Sequence, residues 1–251
     1  RGVRLKDRVV LITGASRGIG RATALRCARE GAAVVVNYQA AAAAAEEVVA
    51  SIRADGGRAI AVQADVSDAA QVDRLVERAL DAFGAIHVLV CNASICPFAP
   101  WEQITEDVWD RVMAVNVKGT FFCCQRVVPV MRRQGYGRIV VVSSLAGRAG
   151  GITTPLHYAA SKGAQLAVMK SLARALAGEG ILVNAVAPAA IDTEILDNLG
   201  PNVRETLKQT IPLHRLGTAE EVAEAIVFLA ADATGFITGE VIDINGGILI
   251  D

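Results

Sequence analysis

A chain of 251 residues with a formal net charge of −1, 25 Lys and Arg against 26 Asp and Glu, lacks the basic surplus that polyanion binding needs, so nucleic acid is not an expected partner. Mean hydropathy is +0.39, yet charged residues interrupt every apolar run before the roughly 18 residues of a membrane span, and no membrane association is predicted. The cysteines Cys27, Cys91, Cys96, Cys123 and Cys124 form no CxxC pair and read as mostly buried structural thiols of a cytoplasmic protein; the opening RGVRLKDRVV has no apolar signal core, so export is not predicted.

The first apolar run, VVLI at 9–12, is continuous rather than alternating, as expected of a strand covered on both faces. It runs into TGASRGIG at 13–20, where Gly14, Gly18 and Gly20 precede a helical period. Glycines at a strand-to-helix turn let the backbone approach a pyrophosphate, and the helix N-terminus offers it unpaired N–H groups. Ser16, Arg17 and Ile19 belong to the same loop. The second run, AVVVN at 33–37, ends at Asn37 and Tyr38. No carboxylate stands there to hold the ribose hydroxyls of NAD and repel a 2′-phosphate, and Arg17 supplies a nearby cation, so NADP(H) is favoured over NAD(H).

QAAAAAAEEVVA at 39–50 is alanine-rich and reads as a surface helix. Further strands are predicted at 59–63, 88–90, 139–142, 182–186 and 241–244. Between them Val72, Leu75, Val76, Ala79, Leu80 and Phe83 recur at helical spacing, as do Val222, Ala225, Ile226 and Leu229. Strand and helix alternate, which predicts a single α/β domain over 1–251: a doubly wound, Rossmann-type parallel sheet of seven strands with helices on both faces. Residues 189–217 carry glycine and proline breaks and read as a mobile helical excursion over the strand C-termini, where such folds bind ligands.

Tyr158 and Lys162 are four apart in HYAASKGAQ. On one helix they share a face, and an ammonium beside a phenol favours phenolate, lowering its pKa from about 10. That makes Tyr158 a candidate general acid or base. Ser144 stands just past the fifth strand, at the rim where parallel sheets present reactive groups. His157, beside the tyrosine, is a candidate substrate contact. No HExxH metal spacing and no GxSxG elbow occurs, and no metal is predicted.

Taken in order, TGASRGIG, Asp65 and Val66, CNAS at 91–94 with Asn92 and Ala93, Asn116, Ser144, YAASK at 158–162 and PAAIDT at 188–193 resemble the short-chain dehydrogenase/reductase family over nearly the whole chain, most of all its bacterial 3-oxoacyl-thioester reductases. The resemblance implies that Ser144 hydrogen-bonds the substrate oxygen, that Tyr158 gives or takes its proton, that Lys162 lowers the tyrosine pKa and holds the nicotinamide ribose, and that Asn116 supports a water relaying protons. It also implies that Thr193 contacts the carboxamide, that Asp65 and Val66 border the adenine, that Pro188, Ala189 and Ile191 line the nicotinamide, and that the chain is a homotetramer.

Several positions depart from the family pattern. His87, Cys91 and Ser94 stand where an aspartate, an asparagine and a glycine are usual, and Ala189 replaces a glycine. Ser94 and Ala189 add side-chain atoms near nicotinamide and substrate, so with Ile95 they are substrate-site candidates. Glu179 stands where these reductases often carry arginine and would repel an acidic carrier protein, with Arg132, Arg133 and Arg138 as a candidate basic patch. The reading is an oxidoreductase moving hydride between NADP(H) and a ketone or secondary alcohol. An NAD-linked dehydrogenase of a sugar or steroid-like alcohol and a non-catalytic nucleotide sensor are the alternatives.

Overall fold

The computed structural model describes residues 4–151, 154–194, 196 and 202–250. Seven parallel strands form one sheet in the order β3-β2-β1-β4-β5-β6-β7: β1 Val9–Ile12, β2 Ala33–Tyr38, β3 Arg58–Gln63, β4 Val88–Cys91, β5 Gly137–Val142, β6 Ile181–Pro188 and β7 Val241–Ile244. Every predicted strand is present. β6 is the most extended, running on to Pro188.

The continuous apolar runs have a direct cause. Along β5, Ile139 and Val141 enter one core while Val140 and Val142 enter the other; along β1, Leu11 faces the first and Val10 and Ile12 the second. Alternate side chains point to opposite faces, and both faces are covered, so consecutive positions along these runs are apolar. α3 (Ala69–Phe83), α5 (Gly119–Gln134) and α7 (Leu156–Leu176) close the first face. α1 (Gly18–Arg29), α2 (Ala42–Ala54) and α9 (Ala219–Ala230) close the second. Cys27, Cys91, Cys123 and Cys124 are core residues. Cys96 is only partly buried, so the thiols are mostly buried, as expected.

Scaffold helices are capped by their own sequence. Asp68 accepts from the Ala70 and Gln71 N–H groups to start α3, and Thr218 with Glu221 forms a reciprocal capping box at α9. Thr105 caps α4 (Glu106–Met113), which passes through a wider turn at 114–118 into α5. Short α6 (Ala146–Ala149) follows β5, and α8 (Val203–Thr210) follows β6. The excursion expected at 189–217 lies partly outside the described residues; within them, Ile191 bridges to Gly217. Among the described residues no helix is long and apolar enough to cross a membrane.

Candidate active site

The sheet order reverses between β1 and β4, and their C-terminal ends open a crevice where loops from both halves converge. A cavity of about 750 Å³ occupies it. Its dinucleotide end is made of backbone. Gly14 and Gly18 hold φ of +62° and +53°, the left-handed region that favours glycine. A Cβ at Gly20 would fall 2.3 Å from the Gly14 carbonyl oxygen, so α1 packs this close to the loop only through a glycine. Unlike α3 and α9, α1 has no side-chain cap; nor does its first turn hold an acid. Its positive pole and free N–H groups are left for an external anion. Asn92 ties the loop to β4, donating through Nδ2 to the Thr13 and Gly14 carbonyls at 2.9 Å each.

Beyond β2, Tyr38, Gln39, Ala40 and Ala41 line the wall without a carboxylate. Asn37 is 1% exposed. Its amide is committed to the scaffold: Oδ1 accepts from the Gly14 N–H at 3.2 Å, and Nδ2 donates to Val62 and Ala64 carbonyls at 3.3 and 3.1 Å. It therefore reaches the cavity as support for the glycine loop. Arg17 is 71% exposed and meets Glu194 at 3.3 Å. Further along this wall Asp65 accepts from Ser67 and from Arg111, the latter at 2.9 Å. Burial alone would raise its carboxyl, but those donors outweigh burial and hold it below the usual range. Uncapped helix, glycine cradle and lateral guanidinium together fit a pyrophosphate-bridged dinucleotide. Sequence reading missed Arg111, whose only signal was its position on the α4 face towards the β3 loop.

At the other end Ser144, Tyr158 and Lys162 line the cavity together. Ser144 hydrogen-bonds the Tyr158 hydroxyl. Lys162 Nζ lies 5.5 Å from the Tyr158 ring centroid and donates to the Val142 carbonyl at 2.8 Å. Ser143 Oγ donates to the Lys162 carbonyl, pinning α7 to β5. Both ionisable groups are shifted by burial. The Tyr158 phenol is pushed well above its ordinary value, burial outweighing the Ser144 hydrogen bond, while Lys162 is pushed down to about 7. In the cofactor-free protein, burial thus outweighs the direction expected from spacing alone.

Asn116 sits in the wide turn, fully buried behind the cavity. Its side chain accepts from the Ile95 N–H at 2.9 Å and donates to the Ile95 carbonyl and Ser161 Oγ at 3.0 and 2.9 Å. It thereby fixes the loop carrying Ser94 and Ile95, both of which line the cavity, as do Pro188, Ala189, Ile191 and Thr193. His157 is a correction. One residue from Tyr158 on the helix, it points elsewhere: it is 0% exposed and does not line the cavity. The candidate basic patch is also dismantled, because Arg132 pairs with Glu179 and Arg138 is buried beneath Tyr136. His87, at the opposite end of the sheet, accepts from the Val9 N–H.

Phe98, Leu145, Leu196, Leu207 and Ile248 complete the far, apolar end of the cavity. None was singled out from sequence: they come from four separate segments, and only the fold brings them together.

A dinucleotide cradle leading to a serine, tyrosine and lysine at a sheet switch point defines a nicotinamide-dependent oxidoreductase. The comparisons agree, and the chain belongs to the short-chain dehydrogenase/reductase family: a family model described as enoyl-(acyl carrier protein) reductase matches residues 14–249. The chain is 44% identical to a 3-oxoacyl-[acyl-carrier-protein] reductase of Synechocystis sp., covering 98% of each chain. It is 42% identical to the corresponding reductase of Staphylococcus aureus, over 95% of this chain and 96% of the other. It is also 41% identical to an L-rhamnose 1-dehydrogenase (NAD(P)(+)) of a Sphingomonas species, covering 98% of each.

Proposed function

We propose that this protein is an NADP(H)-dependent ketoreductase whose substrates are 3-oxoacyl thioesters or ketones with an apolar body. The observation that carries the reading is the neutral, half-buried Tyr158 phenol, bonded to Ser144 in the cavity that begins at the uncapped α1. A phenol held above its ordinary pKa stays protonated at neutral pH and is poised to donate. The dinucleotide, when bound, supplies hydride to the carbonyl carbon. Ser144 donates to the carbonyl oxygen and orients it, Tyr158 delivers its proton to the developing oxyanion, and Lys162 holds ribose hydroxyls and contributes positive charge. Asn116 keeps the loop over the reacting centre in place.

Arg17 and the missing acid at β2 support NADP(H), and the names of the two bacterial reductases support 3-oxoacyl reduction. The Arg132–Glu179 pair favours a small thioester over an acidic carrier protein. L-Rhamnose oxidation is the second reading, supported by the 41% identical relative. Against it, Leu196, Leu207, Ile248 and Phe98 give sugar hydroxyls no partners on their walls, leaving Ser94, Thr154 and Thr210 as the polar side chains nearby, and unpaired polar groups are costly. We further propose a homotetramer, on family analogy. Following NADPH oxidation with an acetoacetyl thioester, beside NADP⁺ reduction with L-rhamnose, tests both: thioester turnover alone is expected, and sugar turnover alone would overturn the assignment.

A further inference from the structure

Ser144 has to aim one proton at a carbonyl oxygen, and its orientation is set from α6. A serine side chain has three staggered rotamers, and one is selected here: Ser144 Oγ accepts from the Ala146 N–H at 3.2 Å. That bond fills an acceptor position and leaves the single hydroxyl proton to be given away. The base on which the hydroxyl stands is therefore α6. It rests on α7 so closely that a Cβ at Gly147 would fall 2.6 Å from the Lys162 carbonyl carbon. Its start is tied to β6, where the Leu145 N–H donates to the Pro188 carbonyl at 2.9 Å. Its far end is held by a charge pair: Arg148 Nη1 lies 3.1 Å from Asp243 Oδ2, with the two side chains 21% and 20% exposed. Asp243 stands on the edge strand β7, opposite Ala187 of β6. Neither Arg148 nor Asp243 lines the cavity.

We propose that Arg148 and Asp243 are positioning residues for carbonyl reduction: their pair holds α6 at the angle that keeps the Ala146 N–H on Ser144 Oγ, and so keeps the Ser144 proton aimed at the substrate carbonyl. This rests on the ketoreductase reading. A helix of four residues is too short to hold its own shape. The Leu145 and Gly147 contacts fix where α6 starts and how near it lies to α7; the charge-assisted pair, directional and partly buried, fixes which way it points. A Ser144 hydroxyl that drifts loses the carbonyl oxygen at the moment that oxygen takes up charge. NADPH binding, built on Gly14, Gly18 and Gly20, does not depend on it.

The test takes Asp243→Asn and Arg148→Gln in the full chain, singly and combined with Ser144→Ala. Each single change should lower kcat for reduction of an acetoacetyl thioester by about tenfold, with the NADPH Kd within about twofold of wild type. On top of Ser144→Ala, followed by single turnover, the same change should cost less than about twofold more, because residues acting through one group are not additive. A further loss as large as in the wild-type background overturns the proposal, as does wild-type kcat in both single variants. Crystal structures of the wild type and the two single variants give a readout without turnover. Ser144 Oγ should lie within hydrogen-bond distance of the Ala146 N–H in the wild type and beyond it in the variants; an Oγ that stays in place in both variants, or that leaves the N–H in the wild type, overturns the proposal. A wild type that binds NADPH but reduces neither thioester nor ketone sinks the ketoreductase reading, while the crystal structures still decide whether the pair holds Ser144.

Discussion

At one end of the cavity, Gly14, Gly18 and Gly20 and the uncapped start of α1 present main-chain groups held between β1, β2 and β4. At the other, Phe98, Leu196, Leu207 and Ile248 present side chains from separate loops. The dinucleotide end rests on the two large cores that cover the sheet. The substrate end rests on a small core of its own, Leu196, Leu207, Ile211 and Leu216, with Ile248 packed against it. A few buried contacts can open at lower free energy than the sheet. The difference teaches that cofactor recognition is built into the least deformable part of the molecule, while substrate selection rests on a part that can be rebuilt without disturbing it.

The largest effect should come from the chemistry where the two ends meet. Tyr158→Phe removes the proton donor and should lower kcat by about 10³-fold or more, with the dinucleotide Kd within about twofold. A variant that retains kcat would refute the assignment of the proton. Gly20→Ala should act on one end alone. Its Cβ would meet the Gly14 carbonyl oxygen at 2.3 Å, so NADPH affinity measured by fluorescence titration should drop by about 50-fold. Unchanged affinity would mean the cradle does not touch the cofactor.

Lys162→Met should abolish turnover yet raise the Tm of the cofactor-free protein by about 4 °C or more, because a buried ammonium is replaced by an apolar chain of similar length. The pH dependence has a definite sign. Lys162 is lowered to about 7 when folded, against about 10.4 unfolded, so the unfolded chain binds more protons between those values. The contribution of this group makes the cofactor-free protein more stable as pH rises from about 7 towards 10. Denaturant midpoints at pH 7 and 9 should diverge in the wild type and converge in the variant. A midpoint difference equal in both proteins would remove the lysine from the explanation.

Arg17→Ala should reduce the preference for NADPH over NADH by about tenfold, read as the ratio of kcat/KM values; an unaltered ratio assigns the 2′-phosphate elsewhere. The smallest effect belongs to the substrate end. Phe98→Ala should cost longer acyl substrates about fivefold in kcat/KM and leave the NADPH KM alone. If both fall together, the two ends are not separable and the comparison fails.

The dinucleotide end was legible because its chemistry is local. A strand, three glycines and a helix start are contiguous in sequence, and each demands a particular residue type for a backbone reason. Asn37 was correctly located at the end of β2, but its inward turn was not, since that depends on carbonyls of β3 and its loop. Spacing put Tyr158 and Lys162 on one face. Their mutual electrostatics were misread because burial is a property of everything around α7. His157 failed for the same reason: the sequence says that it is next to the tyrosine, and the helix turns it into the core.

What the sequence by itself determined is the order of strands and helices, the glycine cradle and the choice of Ser144, Tyr158 and Lys162 as candidates, because period, turn chemistry and residue type act over a few positions. Only the tertiary structure decided that the phenol is raised and the lysine lowered, that Arg132 answers Glu179, that Arg148 meets Asp243, and that four distant apolar residues face the reacting centre. Desolvation and long-range contact depend on which surfaces meet, and that is fixed by the packing of the whole chain around its sheet.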